Sequence, residues 1–215
     1  MRASTFGLAS TRYAFSFKPP WFYTTRAVFF TNTLLQEADA LFQKMVKKFG
    51  AKAPQLWLNY AHFLSITCSD PTRARALLPR AHQSLDTKHH LPTSVRFAAL
   101  EWRSPSGDAE KGRTFFEGIL AKYPKKGDIW RQLLDLEIGA NADEGVIRDV
   151  FERRVKVSGL KPLQAKKWFE KWADWEEGKR KGGKEEIMRR AGEWVRAYKA
   201  RQAAKAEADE EEEEE

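Results

Sequence analysis

The stretch from Gly178 to Glu185, GKRKGGKE, meets the spacing G-x-x-x-x-G-K, in which backbone N–H groups and a lysine can cradle phosphates. A nucleotide loop also needs a preceding strand, a following helix and a Ser or Thr hydroxyl for the metal. Here the Trp-rich KKWFEKWADWEE precedes, and Glu185 stands in the hydroxyl position. The stretch is therefore read as a flexible turn, with Lys179, Arg180, Lys181 and Lys184 free for phosphate contact or nuclear import. The four histidines, His62, His82, His89 and His90, have no H-E-x-x-H spacing, and Cys68 is the single cysteine. No metal site, cofactor or internal disulfide is expected from that set. Glu117, Glu137 and Glu152 recur at repeat positions and are expected to tie helices together rather than do acid–base work. The chain is accordingly read as a protein that is not an enzyme.

Those repeat positions belong to a period. Large side chains recur as Trp57, Tyr60 and Phe63, as Phe97 and Leu100 after Ser94, as Trp130, Leu133 and Leu136, and as Phe169, Trp172 and Trp175. The first positions lie 37, 36 and 39 residues apart, and Glu101, Glu137 and Glu176 follow the last three copies. A second motif keeps the same pace: Asp39, Arg75, Arg113, Arg148 and Glu185 are separated by 36, 38, 35 and 37 residues, with Phe116 and Phe151 in two copies. Apolar residues three or four apart share a helical face. Each unit is thus two amphipathic helices, and stacking of neighbours buries their stripes.

Asp70-Pro71, Ser106-Gly107-Asp108, residues 139–143 and Gly182-Gly183 supply turns within units, while Tyr123-Pro124 and Ser158-Gly159 separate units. No segment sustains the period-two alternation of a sheet. The expected class is all-α, an α-solenoid of TPR-like helical hairpins over residues 36–200. The repeat-position tryptophans are assigned to packing rather than base stacking. Pro79 should kink or end its helix.

Charge divides unevenly. Residues 207–215 carry eight acids and no base, leaving 38 bases against 22 acids in residues 1–206. A body that basic attracts polyanions. Bases outside the core pattern are the candidates for RNA or phosphate contact: Lys122, Lys125, Lys126, Arg153, Arg154, Lys156, Lys166, Lys167, Lys179, Arg180, Lys181, Arg189 and Arg190. Residues 201–215 are expected to form a disordered acidic tail. Residues 1–35 are read as a divergent or disordered segment; they hold no acid and resemble a mitochondrial presequence in composition. The apolar runs are far shorter than the roughly 18–20 residues that span a bilayer, so no membrane insertion is expected.

The segments ADALFQKMVKKFG, WLNYAHFL, FFEGILAKYPKKGDIW, IRDVFERRV and KKWFEKWADWEE resemble the half-a-TPR (HAT) repeats at the C-terminus of the ribosomal-RNA-processing protein five family. The resemblance implies a scaffold in ribosome biogenesis that binds assembly proteins and pre-ribosomal RNA in the nucleolus, with pairing into a homodimer as a further expectation. Members of that family carry S1-type RNA-binding domains before the repeats. This sequence has none, so it is read as a fragment or as a chain whose beginning is divergent or misassigned. Two alternatives stay open: a HAT-repeat scaffold of a splicing or 3′-end-processing machine, and a mitochondrial RNA-associated protein.

Overall fold

The computed structural model describes the backbone of residues 20–214 and the side chains of residues 32–207. The described backbone contains helices and turns and no strand. It divides into a first unit ending at Lys48 and a second beginning at Phe49.

The first unit's helix, α1 (Pro20–Phe49), is longer than the sequence reading allowed. Residues 20–35, assigned there to a divergent or disordered segment, continue into the expected second helix without a break. Lys47 and Lys48 in its last turn face the negative end of the helix dipole. Leu34 and Leu41 are exposed. The aromatic side chains expected to cover this helix, and the presequence-like residues before it, lie outside the described residues.

The second unit is four hairpins: α2 (Pro54–His62) with α3 (Pro71–Ser84), α4 (Thr87–Arg103) with α5 (Ala109–Lys122), α6 (Gly127–Gly139) with α7 (Glu144–Lys156), and α8 (Pro162–Glu177) with α9 (Gly183–Glu214). Proline opens α2, α3 and α8, where its missing N–H costs no intrahelical bond. The side chains of Asp70, Asp108 and Asp143 accept backbone N–H bonds at the starts of α3, α5 and α7. Every second helix before α9 therefore begins on a carboxylate cap.

Pro79 does not end α3, which continues to Ser84. Its ring points into solvent, and one lost hydrogen bond is small against the helix's buried Ala74, Leu77 and Ala81. The backbone of α9 remains helical to Glu214, where a disordered tail was expected from residue 201. Alanine and glutamate, which fill that stretch, are strong helix formers.

The core runs through α4 to α9, where Phe116, Leu134, Phe151, Trp172 and Ile187 are fully enclosed. Trp57, Tyr60, Phe97, Leu100, Trp130, Leu133 and Phe169 are buried as well. Phe63, Leu136 and Trp175 are only half-buried. Geometry explains the difference: at about 100° per residue, two steps of three drift well away from the first position, whereas a residue seven on returns to within about 20°. The residue at i+7 is Leu64 in α2's copy, where a π-helical turn (Phe63–Thr67) follows the helix, and Glu101, Glu137 and Glu176 in the others. Three glutamates thus occupy the buried face of the first helices.

Candidate nucleic-acid interface

A buried carboxylate needs a partner. Glu101 takes a two-pronged bond from Arg75, with both contacts at 2.7 Å. Glu137 takes one from Arg113 at 2.7 and 2.8 Å, and Glu176 one from Arg148 at 2.7 and 3.3 Å. These are the two recurring motifs of the sequence meeting in space: each arginine lies on the second helix of one hairpin and reaches the first helix of the next. Hydrogen bonding to the glutamate raises each arginine's pKa, against the opposing pull of burial. Burial pushes the Glu176 carboxyl up, but bonds from Arg148, Arg180 and Trp172 outweigh it and hold the group below its ordinary range.

A second layer of contacts links successive second helices. Arg153 on α7 pairs with Glu117 on α5, and Arg190 on α9 with Glu152 on α7. The same two guanidinium groups lie over tryptophan rings of their own hairpins, Arg153 over Trp130 at 5.5 Å and Arg190 over Trp172 at 4.5 Å. Arg80 repeats the stack over Trp57 at 5.9 Å. The indole N–H groups of Trp57, Trp130, Trp168 and Trp194 donate to backbone carbonyls, a use that fixes them as structural rings.

This architecture divides the candidate bases. Arg153 and Arg190 are committed to the second layer. Arg180 bonds Glu176 and Glu186, Arg189 bonds Glu193, and Lys179 pairs with Glu144 beside the Trp175 ring. Lys156 and Lys166 make single longer contacts to Glu152 and Glu170. Arg154 is a correction to the sequence reading: it is 3% exposed and sits in the core. Its physical reason is face geometry, since Ile147, Val150, Phe151 and Arg154 stand at i, i+3, i+4 and i+7.

Lys122, Lys125, Lys126, Lys167 and Lys181 are exposed and form no ion pair among the described residues. Four of them gather where one hairpin passes to the next, since α5 ends at Lys122, α6 begins after Lys126 and α8 begins at Pro162. The Lys125 amine comes within 3.6 Å of the position a Cβ would take on Gly159, so the α5–α6 and α7–α8 turns are adjacent. Lys181 lies in the turn at the far end of α8, about 24 Å away at 1.5 Å per residue. The candidates therefore form two groups at opposite ends of the hairpins rather than one patch.

The phosphate-loop lookalike is that far turn. A Cβ on Gly183 would fall 2.8 Å from the Glu176 backbone, so glycine is required where the first turn of α9 packs against the last turn of α8. The histidines and acids form no group of three that could hold a metal among the described residues, and no described helix is long and apolar enough to cross a membrane.

Comparison with known proteins returns one consistent name. The chain is 38% identical over 160 residues to the rRNA biogenesis protein rrp5 of Schizosaccharomyces pombe, a match covering 74% of this chain and 9% of that protein. It is 35% identical over 141 residues to the human protein RRP5 homolog and 34% over 139 residues to the Arabidopsis thaliana rRNA biogenesis protein RRP5, covering 66% and 65% of this chain and 7% of each. The chain is an RRP5 homologue. It spans less than a tenth of the length of these curated relatives. No family model matches the sequence. The RRP5 names agree with the resemblance read from the repeat segments. The homodimer expectation gains no support among the described residues.

Proposed function

We propose that this RRP5-like array is a non-enzymatic scaffold in ribosome biogenesis that docks assembly factors of the small-subunit processome and holds pre-ribosomal RNA during its processing in the nucleolus. The names of the relatives support the process. The observation that carries the RNA reading is the edge of unpaired lysines, Lys122, Lys125, Lys126 and Lys167, beside a framework whose arginines are already spent on glutamates. Unpaired cations can exchange counterions for phosphates without breaking the fold. Stacked hairpins also offer an extended side-chain surface for protein partners.

Affinity purification of the full chain from nuclear extract, with and without nuclease, tests both halves. Assembly factors retained after nuclease support protein docking, and pre-ribosomal RNA lost on charge reversal of Lys122, Lys125 and Lys126 supports the lysine edge. With purified RNA, that triple variant should lower the slope of log affinity against log salt by up to about 0.7–0.9 per lost phosphate contact. Recovery of splicing or mitochondrial partners instead would transfer the scaffold to another RNA machine.

A further inference from the structure

Among the described residues, Arg154 is a buried arginine with no carboxylate partner. It is 97% buried by its 3% exposure, its Nη1 has no hydrogen-bond acceptor among the described residues, and no carboxylate pairs with it. Burial alone lowers its pKa. An isolated buried cation is costly, and the guanidinium groups of Arg75, Arg113, Arg148, Arg153 and Arg190 each meet a glutamate. The guanidinium is directed at the start of α6: its Nη2 lies 3.5 Å from where a Cβ on Gly127 would stand.

Like the other first helices α2, α4 and α8, and unlike the aspartate-capped α3, α5 and α7, α6 begins without a side-chain cap, at Lys126. The first N–H groups of a helix carry partial positive charge and seek an acceptor. Here they lie beside Lys125, Lys126 and the Arg154 guanidinium, with Gly127 leaving the approach open. Asp128, in the first turn, forms no ion pair with Arg154. The positive end of the α6 dipole and the unpaired Arg154 guanidinium therefore meet at Gly127, with a lysine rather than an acid at the cap position.

We propose that the α6 N-terminus, Gly127 and Arg154 form a phosphate site flanked by Lys125 and Lys126, filled by one phosphate of an RNA backbone. A phosphate oxygen would accept from the first N–H groups of α6, as anions do at helix starts, and another from the Arg154 fork. The identity of the phosphate's source rests on the RNA reading above; the site itself does not.

The test uses the full chain. At inorganic phosphate about ten times its Kd, the Tm should rise by about 3–6 °C above that in chloride of equal ionic strength. Arg154→Met removes an unpaired buried charge and should fold, and it should lose the phosphate-specific rise. Lys126→Asp, at an exposed position, supplies the cap found on α3, α5 and α7, and should raise Tm without phosphate while abolishing the response. A phosphate effect no larger than that of chloride, or one that survives in Arg154→Met, overturns the site. With a pre-ribosomal RNA fragment, Arg154→Met should lose about tenfold in affinity, one bidentate contact's worth. A phosphate response without RNA binding upholds the site and overturns RNA as its source. RNA binding that is indifferent to Arg154, together with no phosphate response, overturns the site and leaves the RNA reading standing.

Discussion

The α6/α7 hairpin and the α4/α5 hairpin are built on the same clamp and differ in everything around it. Both are tied by a buried glutamate, Glu137 to Arg113 and Glu101 to Arg75. In α6/α7, Arg153 also covers Trp130 and reaches Glu117 of the previous unit. In α4/α5 the corresponding positions are Ser94 and Gly118, and the glutamate's place on α3 is taken by Pro79. A cleft of about 390 Å³ opens there, lined by His82, His90, Ser94 and Lys122. The two imidazoles stack at 4.6 Å, and His82 bonds the Ser94 hydroxyl at 3.0 Å. Burial, followed by the neighbouring His90, lowers the His82 pKa. The comparison separates what the repeat requires, the clamp, from what it can discard, the stacked Trp–Arg pair and its outer bridge.

The largest test of that distinction is Trp130→Ala, which should cost about 3–5 kcal/mol in urea unfolding, while Ser94→Ala costs less than about 1 kcal/mol. Equal costs would erase the contrast. Glu137→Gln should be nearly as damaging, about 3 kcal/mol, because it leaves Arg113 without its buried partner; Glu101→Gln should match it, since the clamp is common to both hairpins.

Acid provides a gentler probe. The native Glu176 carboxyl titrates below its unfolded value of 4.5, so its stabilisation is complete above that value and is lost as the pH falls through the native one. The urea midpoint measured between about pH 6 and about pH 3 should fall less steeply in Arg148→Met than in the parent chain. The smallest effect comes from restoring the missing pair. Gly118 has open space around an added Cβ, and Ser94→Trp with Gly118→Arg should gain about 1 kcal/mol from the stack and the lost glycine. A destabilised double variant would show that the cleft's shape is itself constrained.

Much of this was legible in the chain. Two motifs with one pace gave the hairpins, and the glutamates behind each apolar triplet were recognisable as ties because Arg75, Arg113 and Arg148 recur at the same interval. The third members Phe63, Leu136 and Trp175 were overvalued, since spacing by threes drifts off the buried face, although Leu100 stays buried. Arg154 was misread because adjacent Arg153 and Arg154 look alike in composition, although a step of about 100° puts one over an indole and the other among Ile147, Val150 and Phe151. The separation of the lysines into two ends was hidden for another reason. It depends on the antiparallel direction of α8, which appears only once the hairpins are closed.

The clamps also set how the array would respond to being pulled. Each joins consecutive hairpins, so tension applied through the second unit passes through Arg75–Glu101, Arg113–Glu137 and Arg148–Glu176 in series. Two of the three junctions share that tension with an outer bridge, Arg153–Glu117 or Arg190–Glu152. The first junction has no bridge at Pro79 and Gly118 and shares it instead with hydrogen bonds from the Ser104 and Ser106 hydroxyls to the Ser65 carbonyl and from Arg96 to Gln55.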